Sequence, residues 1–413
     1  MDRFACKRGE WYCEDVPLQR LAQQHGTPAY VYSQGTLTDH FDRLTQALSP
    51  LPHRICYAVK ANSNAAVLRV FARRGAGFDI VSGGELYRVI KAGGDPQRAI
   101  FAGVGKTEDE IAYALRNHIL FFTVESAVEL ERINAVARRM KTIARFSVRV
   151  NPNVDAHTHR YITTGTHANK FGLEFDAACA VYRRARALPN VRAVGVQMHI
   201  GSQITTTGPY VKAIRRLAGL VNELRQMGVS IEYVDVGGGM GIVYRDEKPP
   251  TAVEFAAAVV PLLRTMHATI LFEPGRFLVG NAGVLLTTVQ YIKRTAAKTF
   301  VIVDAGMNDL IRPALYEAYH AIVPVRARRG AAEPVDVVGP ICESGDFFAQ
   351  ARPLPPVRPG DVLVIRSAGA YGFAMASNYN SRPRAVELMV SGARARVVRR
   401  RETWDDLVAH EYN

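Results

Sequence analysis

Lys60, Asp79, Ser82, Asn151, His199, Ser202, the triglycine Gly237–Gly239 and the run Glu273-Pro274-Gly275-Arg276 are the residues on which chemistry could rest. A triglycine and a Pro-Gly turn offer backbone N–H groups without side-chain obstruction, as an anionic phosphate requires. A lysine can form a Schiff base with a carbonyl compound. A carboxylate such as Glu273 can keep a heteroaromatic ring nitrogen protonated, and an imidazole such as His199 can stack on that ring. Taken singly, each has a plainer explanation: a solvated lysine, a satisfied core histidine, a tight turn, a surface ion pair. Convergence on one place is what the plain explanations do not predict, so the elements that carry these residues decide the matter.

Lys60 belongs to the run HRICYAVKAN (53–62), in which Ile55, Tyr57 and Val59 alternate with Cys56, Ala58 and Lys60. This period of two predicts a strand that ends at the lysine, above small neighbours. Beyond it β-rich runs alternate with helical patterns. Strands are predicted at 53–59, 78–81, 100–103, 120–124, 145–150, 194–200, 232–236 and 269–273. Three strand-to-helix joins read as capping boxes: Ser82-Gly-Gly-Glu85, Thr107-Glu-Asp-Glu110 and Ser126-Ala-Val-Glu129. Eight βα units over about 225 residues predict an α/β fold, a (β/α)8 TIM-type barrel spanning 36–280. A doubly wound open sheet would be expected to carry a GxGxxG turn after its first strand, and none is there.

In such a barrel the active site forms at the C-terminal ends of the strands, and phosphate is commonly held by the last loops. Those ends carry Lys60, Asp79, Asn151, His199, the triglycine and Glu273. The cofactor that unites a Schiff-base lysine, a phosphate cradle, a ring-nitrogen carboxylate and a stacking imidazole is pyridoxal 5'-phosphate.

After about residue 280 the pattern changes. β-rich runs at 284–292, 299–304, 321–327, 335–338, 361–366, 385–390 and 394–398 follow one another, with turns such as Arg358-Pro-Gly-Asp361 between them. They predict a mostly antiparallel β domain of residues 281–413 together with 1–35, to which 28–32 could add a strand.

Composition bounds the remaining options. The chain has 413 residues, 48% hydrophobic and 22% charged, as in an ordinary soluble globular protein. No uninterrupted apolar run reaches membrane-spanning length, and the N-terminus lacks the apolar core of a secretory signal. The five cysteines are scattered, with no CxxC pair or zinc spacing. They predict a reducing cytoplasm and no metal site. The formal charge of +14 is spread along the chain, with its densest run at Arg394–Arg401 near the C-terminus. Without aromatic interleaving or a nucleic-acid-binding signature, this reads as a solvated basic surface that steers anions, not as a nucleic-acid interface.

The chain resembles the fold-type III pyridoxal-phosphate decarboxylases, and among them those acting on diaminopimelate. The resemblance runs to about residue 392 and rests on YAVKAN (57–62), GFDIVSGGEL (77–86), RVNPNV (149–154), NKFGL (169–173), HIGSQI (199–204), DVGGGMG (235–241), EPGR (273–276), GPICESGD (339–346) and GAYGFAMASNYNSRPR (369–384). It implies decarboxylation of meso-2,6-diaminopimelate to L-lysine and CO2 through a pyridoxal-phosphate aldimine on Lys60. It further implies cofactor contacts from His199, Ser202, Gly239, Glu273, Pro274, Gly275, Arg276 and Tyr371. Arg276, Arg312, Tyr316, Glu343 and Tyr371 would contact substrate. Cys342 would be the proton donor, reaching in from the partner subunit of a homodimer; a thiol, with an ordinary pKa of about 8.5, is mostly protonated near neutrality. A decarboxylase for another basic amino acid (D-ornithine, D-lysine or carboxynorspermidine) and a non-catalytic cofactor carrier are the alternatives. The β domain and its Cys342-Glu343 pair argue against a carrier, which needs neither.

Overall fold

Eight short apolar runs form parallel strands in the computed structural model, which describes residues 2–155 and 171–411. They are β1 (His53–Ala58), β2 (Gly77–Ile80), β3 (Ala99–Phe101), β4 (Phe121–Val124), β5 (Ala144–Val150), β6 (Val191–Met198), β7 (Tyr233–Asp235) and β8 (Thr269–Phe272). Each pairs in parallel with the next, and β8 pairs with β1, so the sheet closes into a barrel. Buried on both sides, these strands read as near-continuous apolar runs. Cys56, Ile100, Leu120, Phe121, Val194 and Leu271 make one of the buried clusters.

Four of the described helices between the strands start at hydroxyl caps. Thr107 and Glu110 form the full reciprocal box, as do Thr251 and Glu254, a pair not among the three predicted. Ser82 and Ser126 accept from the Glu85 and Glu129 amides as expected. The two glutamates, however, reach one residue further back, to the amides of Val81 (2.7 Å) and Glu125 (2.8 Å). That fastens the strand end as well as the helix start.

The chain divides into two compact units. The barrel unit comprises His40–Ile242 and Lys248–Phe277, and the other comprises the residues up to Asp39, Val243–Glu247 and those from Leu278 onward. The second unit is built on β9 (Gly283–Arg294), β10 (Thr299–Val303), β11 (Ile322–Pro324), β12 (Glu333–Val338), β13 (Phe347–Leu354), β14 (Val362–Ile365), β15 (Val386–Ser391) and β16 (Arg394–Arg399). Ala29–Ser33 lies inside this sheet, antiparallel to β9 and parallel to β15. Most pairings are antiparallel, as expected; β10 with β12 is the other parallel pair. Its core holds Val31, Val284, Leu286, Val364, Leu388 and Val390. No helix among the described residues is long and apolar enough to cross a membrane.

The structure differs from expectation in three places. β1 ends at Ala58, and Val59–Ala61 form a 3-10 turn closed by Asn62 N donating to Val59 O (3.1 Å). The parallel ladder stops at Ala58 opposite Asp79, and Ala58 N turns instead to Pro274 O (3.2 Å). Lys60 therefore sits on a turn just past the strand. β13 was not predicted, because Arg352 and Pro353 interrupt its pattern. A three-stranded sheet of Phe4–Lys7, Glu10–Cys13 and Val16–Pro17 was likewise missed.

Candidate active site

Lys60 Nζ donates to Asp79 Oδ2 at 2.5 Å, and the Asp79 side chain is fully buried. Ala58 and Ala61, on either side of Lys60, make room for the loop after β8. A Cβ on Gly275 would stand 3.0 Å from that of Ala61 and 3.2 Å from that of Ala58. The small neighbours of the lysine are thus what lets the Pro-Gly turn close against it. A second lysine, Lys106, is buried on the same side of the barrel, but it donates to Gly103 O, Thr123 O and Glu129 Oε1 at 2.7, 2.8 and 2.7 Å. An ammonium has three donors, so Lys106 is fully spent on structure.

The triglycine is held by both neighbouring loops. Asp235, at the end of β7, accepts from Gly237 N (2.9 Å). Gly238 N donates to His199 Nδ1 (3.2 Å), and Tyr210 Oη donates to Gly238 O (3.0 Å). Ile204 N donates to Gly239 O (2.9 Å), and the Gln203 amide bonds both N and O of Ile242. A Cβ on Gly238 would fall 2.1 Å from Glu273 O; Gly239 has φ +98°, and a Cβ there would fall 2.3 Å from Gly201 O. Backbone packs where a side chain would stand, which is the geometry of an amide cradle. Arg276 Nη2 donates to Ser202 Oγ (3.1 Å), tying the loop after β8 to the loop after β6.

Below the cradle lies an acidic floor. Glu273, Asp235 and Asp79 are all buried, and Gln197 Nε2 lies 3.4 Å from both Glu273 carboxylate oxygens. Burial, then the charges of Asp235 and Asp79, pushes the Glu273 carboxyl well above the usual carboxylate range. Burial pushes Asp235 up to about 7. Asp79 Oδ1 is buried with no hydrogen-bond partner among the described residues. Three carboxyls face one lysine, so a buried cation against Glu273 would relieve the site. His199 is held neutral: burial, then Arg149 and Lys60, pushes its pKa well below the ordinary value. Because Nδ1 accepts from Gly238, the proton is on Nε2. An amine, an amide cradle, a neutral flat ring and a carboxyl that wants a cationic partner together fit pyridoxal phosphate.

The floor has a measurable signature. Carboxyls whose pKa values are raised on folding contribute stability below about pH 4, their unfolded range, and lose it as pH rises through the folded value. Cofactor-free protein should therefore lose melting temperature between about pH 4 and 7. Asp309 and Glu85, each pushed up to about 7 mainly by burial, act in the same direction. Asp235→Asn removes one member of the pair, so its melting temperature should fall less across this range, by roughly 2–4 °C for each kcal/mol relieved. Parallel curves for the two proteins would mean that the floor carries no such strain.

Other predicted positions are spent locally. Ser82 caps the helix Gly83–Lys91, and Asn151 Oδ1 takes the Asn153 amide (2.8 Å). Of the motif NKFGL, Asn169 and Lys170 lie outside the described residues. Gln197, Asp235, Gln203 and Tyr210 were not singled out beforehand. Gln197 had a signal, a polar residue within an apolar strand; Tyr210 had none.

Lys60, His199, Ser202, Gly239, Glu273, Pro274, Gly275 and Arg276 come together on the barrel rim. Arg312, Tyr316, Cys342, Glu343 and Tyr371 belong to the other unit. There Arg312 and Tyr316 begin and end one short helix, four residues apart and so on the same face. Tyr371 has φ +55°, uncommon for a residue with a side chain and frequent at functional sites. Cys342 and Glu343 project from a loop closed by Asp346, which accepts from Ile341 N (2.6 Å) and Met307 N (2.7 Å). Asn380 Oδ1 holds the Cys342 amide (2.7 Å), and the thiol is exposed.

Known proteins share this architecture and sequence. Residues 34–280 match the pyridoxal-binding domain of the pyridoxal-dependent decarboxylases. Diaminopimelate decarboxylase of Vibrio cholerae is 52% identical over 413 residues, covering 100% of this chain and 99% of that protein. The crystal structure of the Helicobacter pylori enzyme, complexed with L-lysine, superposes with a TM-score of 0.92 at 42% identity, covering 95% of this chain and 99% of that one. The M. jannaschii enzyme, also solved with L-lysine, gives 0.95 at 37% identity, covering 100% and 98%. With a cofactor cradle of the required chemistry and relatives matching along its whole length, the chain belongs to the diaminopimelate decarboxylase family of pyridoxal-dependent decarboxylases.

Proposed function

We propose that Lys60 carries pyridoxal 5'-phosphate and that the chain decarboxylates meso-2,6-diaminopimelate at its D-configured centre. The products are L-lysine and CO2, which makes this the last step of lysine biosynthesis. When bound, the cofactor supplies an electron sink for the charge left on Cα as CO2 departs. The observation that carries this reading is the single barrel rim shared by Lys60, the glycine cradle and the acidic floor.

The remaining work falls to the chain's own residues. The amides of Gly239, Gly275 and Arg276 would bind the phosphate, the Gly237 and Gly238 amides being spent on Asp235 and His199, and the Ser202 and Tyr371 hydroxyls would add donors. The Glu273 carboxylate would accept a hydrogen bond from the ring N–H and so hold the proton on the nitrogen, and the neutral His199 ring would cover one face. Arg276 and Arg312 bind the substrate's distal carboxylate, Tyr316 adds a hydroxyl, and Glu343 takes the distal ammonium. Cys342 Sγ delivers the proton that replaces CO2 on Cα. The barrel, 36–280, serves the cofactor; the β domain, 1–35 and 281–413, serves the distal end of the substrate and a homodimer in which Cys342 enters the partner's site. Five unpaired cysteines suit a reducing cytoplasm.

CO2 release from meso-diaminopimelate, measured beside D-lysine, tests the assignment. A substrate without the distal carboxylate offers the two buried guanidiniums no counter-charge, a loss of about 2–5 kcal/mol. Diaminopimelate should therefore be preferred in kcat/KM by at least about thirtyfold. Faster turnover of D-lysine would overturn the substrate assignment.

A further inference from the structure

Arg312 is buried within a cage of its own unit. Its Nη1 lies 2.8 Å from His320 Nε2, and its guanidinium carbon stands 4.7 Å from the centre of the Tyr244 ring. His320 is fully buried, and its Nδ1 lies 2.8 Å from Arg366 O. A carbonyl oxygen can only accept and a guanidinium can only donate. The imidazole must therefore carry its proton on Nδ1 and present a lone pair at Nε2, a single neutral tautomer set by its two neighbours.

The ring is fixed from other sides as well. Tyr244 packs edge-on against it, with centroids 5.4 Å apart at 81°, and Arg352 Nη1 donates to His320 O at 2.8 Å. Tyr244 is itself anchored through its amide, which donates to Glu247 Oε2 (2.9 Å). This is costly machinery for one arginine. A long side chain gives up much rotamer freedom when it is ordered, and a guanidinium can be anchored through one N–H while others grip a carboxylate in bidentate fashion.

We infer that His320 is a positioning residue for substrate recognition: its Nε2 lone pair, with the ring face of Tyr244, presets the Arg312 guanidinium for the distal carboxylate. This rests on the assignment of Arg312 given above. It predicts a defect in substrate capture and not in the chemistry at Cα.

The test is steady-state kinetics of the holoenzyme on meso-diaminopimelate. His320→Phe keeps an aromatic ring beside Tyr244 and removes the acceptor. KM should rise about tenfold to a hundredfold, the loss of one hydrogen bond to a charged group, while kcat changes less than about threefold. His320→Gln, whose amide oxygen can accept from Arg312, should recover most of that loss. In an Arg312→Ala background, His320→Phe should add nothing, since the residue through which it acts is gone. If Arg312→Ala raises KM but His320→Phe leaves it at the parent value, the inference is overturned and the role of Arg312 stands. If Arg312→Ala leaves KM unchanged, the parent assignment falls and takes the inference with it. Should His320→Phe fail to fold, Tyr244→Leu in the same cycle decides, with the same outcomes.

Discussion

Replacing Lys60 by alanine is expected to remove the borohydride-sensitive visible absorbance of the purified protein and to cut CO2 release more than about a thousandfold, as for loss of a positioned catalytic group. Among the described residues no other amine near the rim is placed to take over. Lys106, a buried lysine near the rim, has all three donors committed to Gly103, Thr123 and Glu129. The variant carries a complication, because Lys60 is also the cation on Asp79, whose side chain is fully buried. Removing one partner of a buried pair costs about 3–5 kcal/mol. Here the cost should be smaller, because the Lys60 side chain is 41% exposed. Lys60→Arg separates the two roles. It keeps a positive charge for Asp79, yet its guanidinium stays protonated and cannot act as the carbonyl nucleophile. Lys60→Arg should melt near the parent and be as colourless and inactive as Lys60→Ala. Turnover retained by either variant would refute the assignment of Lys60.

The barrel was legible because its strands carry the strongest signal a chain can give: short apolar runs alternating with helical periods, several of which open on a polar cap. Lys60, the triglycine and Glu273-Pro-Gly-Arg276 could be placed at strand ends from that pattern alone. What the pattern could not show was how they touch. The Lys60–Asp79 pair, the acidic floor of Asp79, Asp235 and Glu273, and the lacing of His199 and Tyr210 onto Gly238 depend on which residues the closed barrel brings opposite one another. The 3-10 turn under Lys60 was hidden because Val59 continues the alternation, while the backbone had already turned to Pro274. In the β unit, Arg352-Pro353 masked a strand that pairs along its length with β12. His320 lies in no quoted motif. Its meaning comes only from the two neighbours that fix its proton.

Cys342→Ala should keep the absorbance and lose turnover by about a hundredfold to ten-thousandfold, the range for removing a general acid. The thiol is exposed in the single chain, although its loop is tightly built: Glu343 N donates to Ile341 O (2.8 Å), Asp346 N to Glu343 O (3.0 Å), and the Asp346 carboxylate fastens Ile341 and Met307. A loop so firmly held, presenting a cysteine and a glutamate outward, is what a site completed by a second subunit requires. Mixing discriminates. Lys60→Ala chains supply an intact Cys342, and Cys342→Ala chains supply an intact Lys60. In a twofold dimer with shared sites, each mixed dimer has one site with both groups and one with neither. Random reassortment makes half the dimers mixed, so activity should recover to at most about a quarter of the parent. Recovery to that level from two inactive proteins can arise only if Cys342 crosses to its partner's lysine. If chain exchange is demonstrated and no activity returns, Cys342 acts within its own subunit or not at all. The loss of turnover in Cys342→Ala alone then decides between those two.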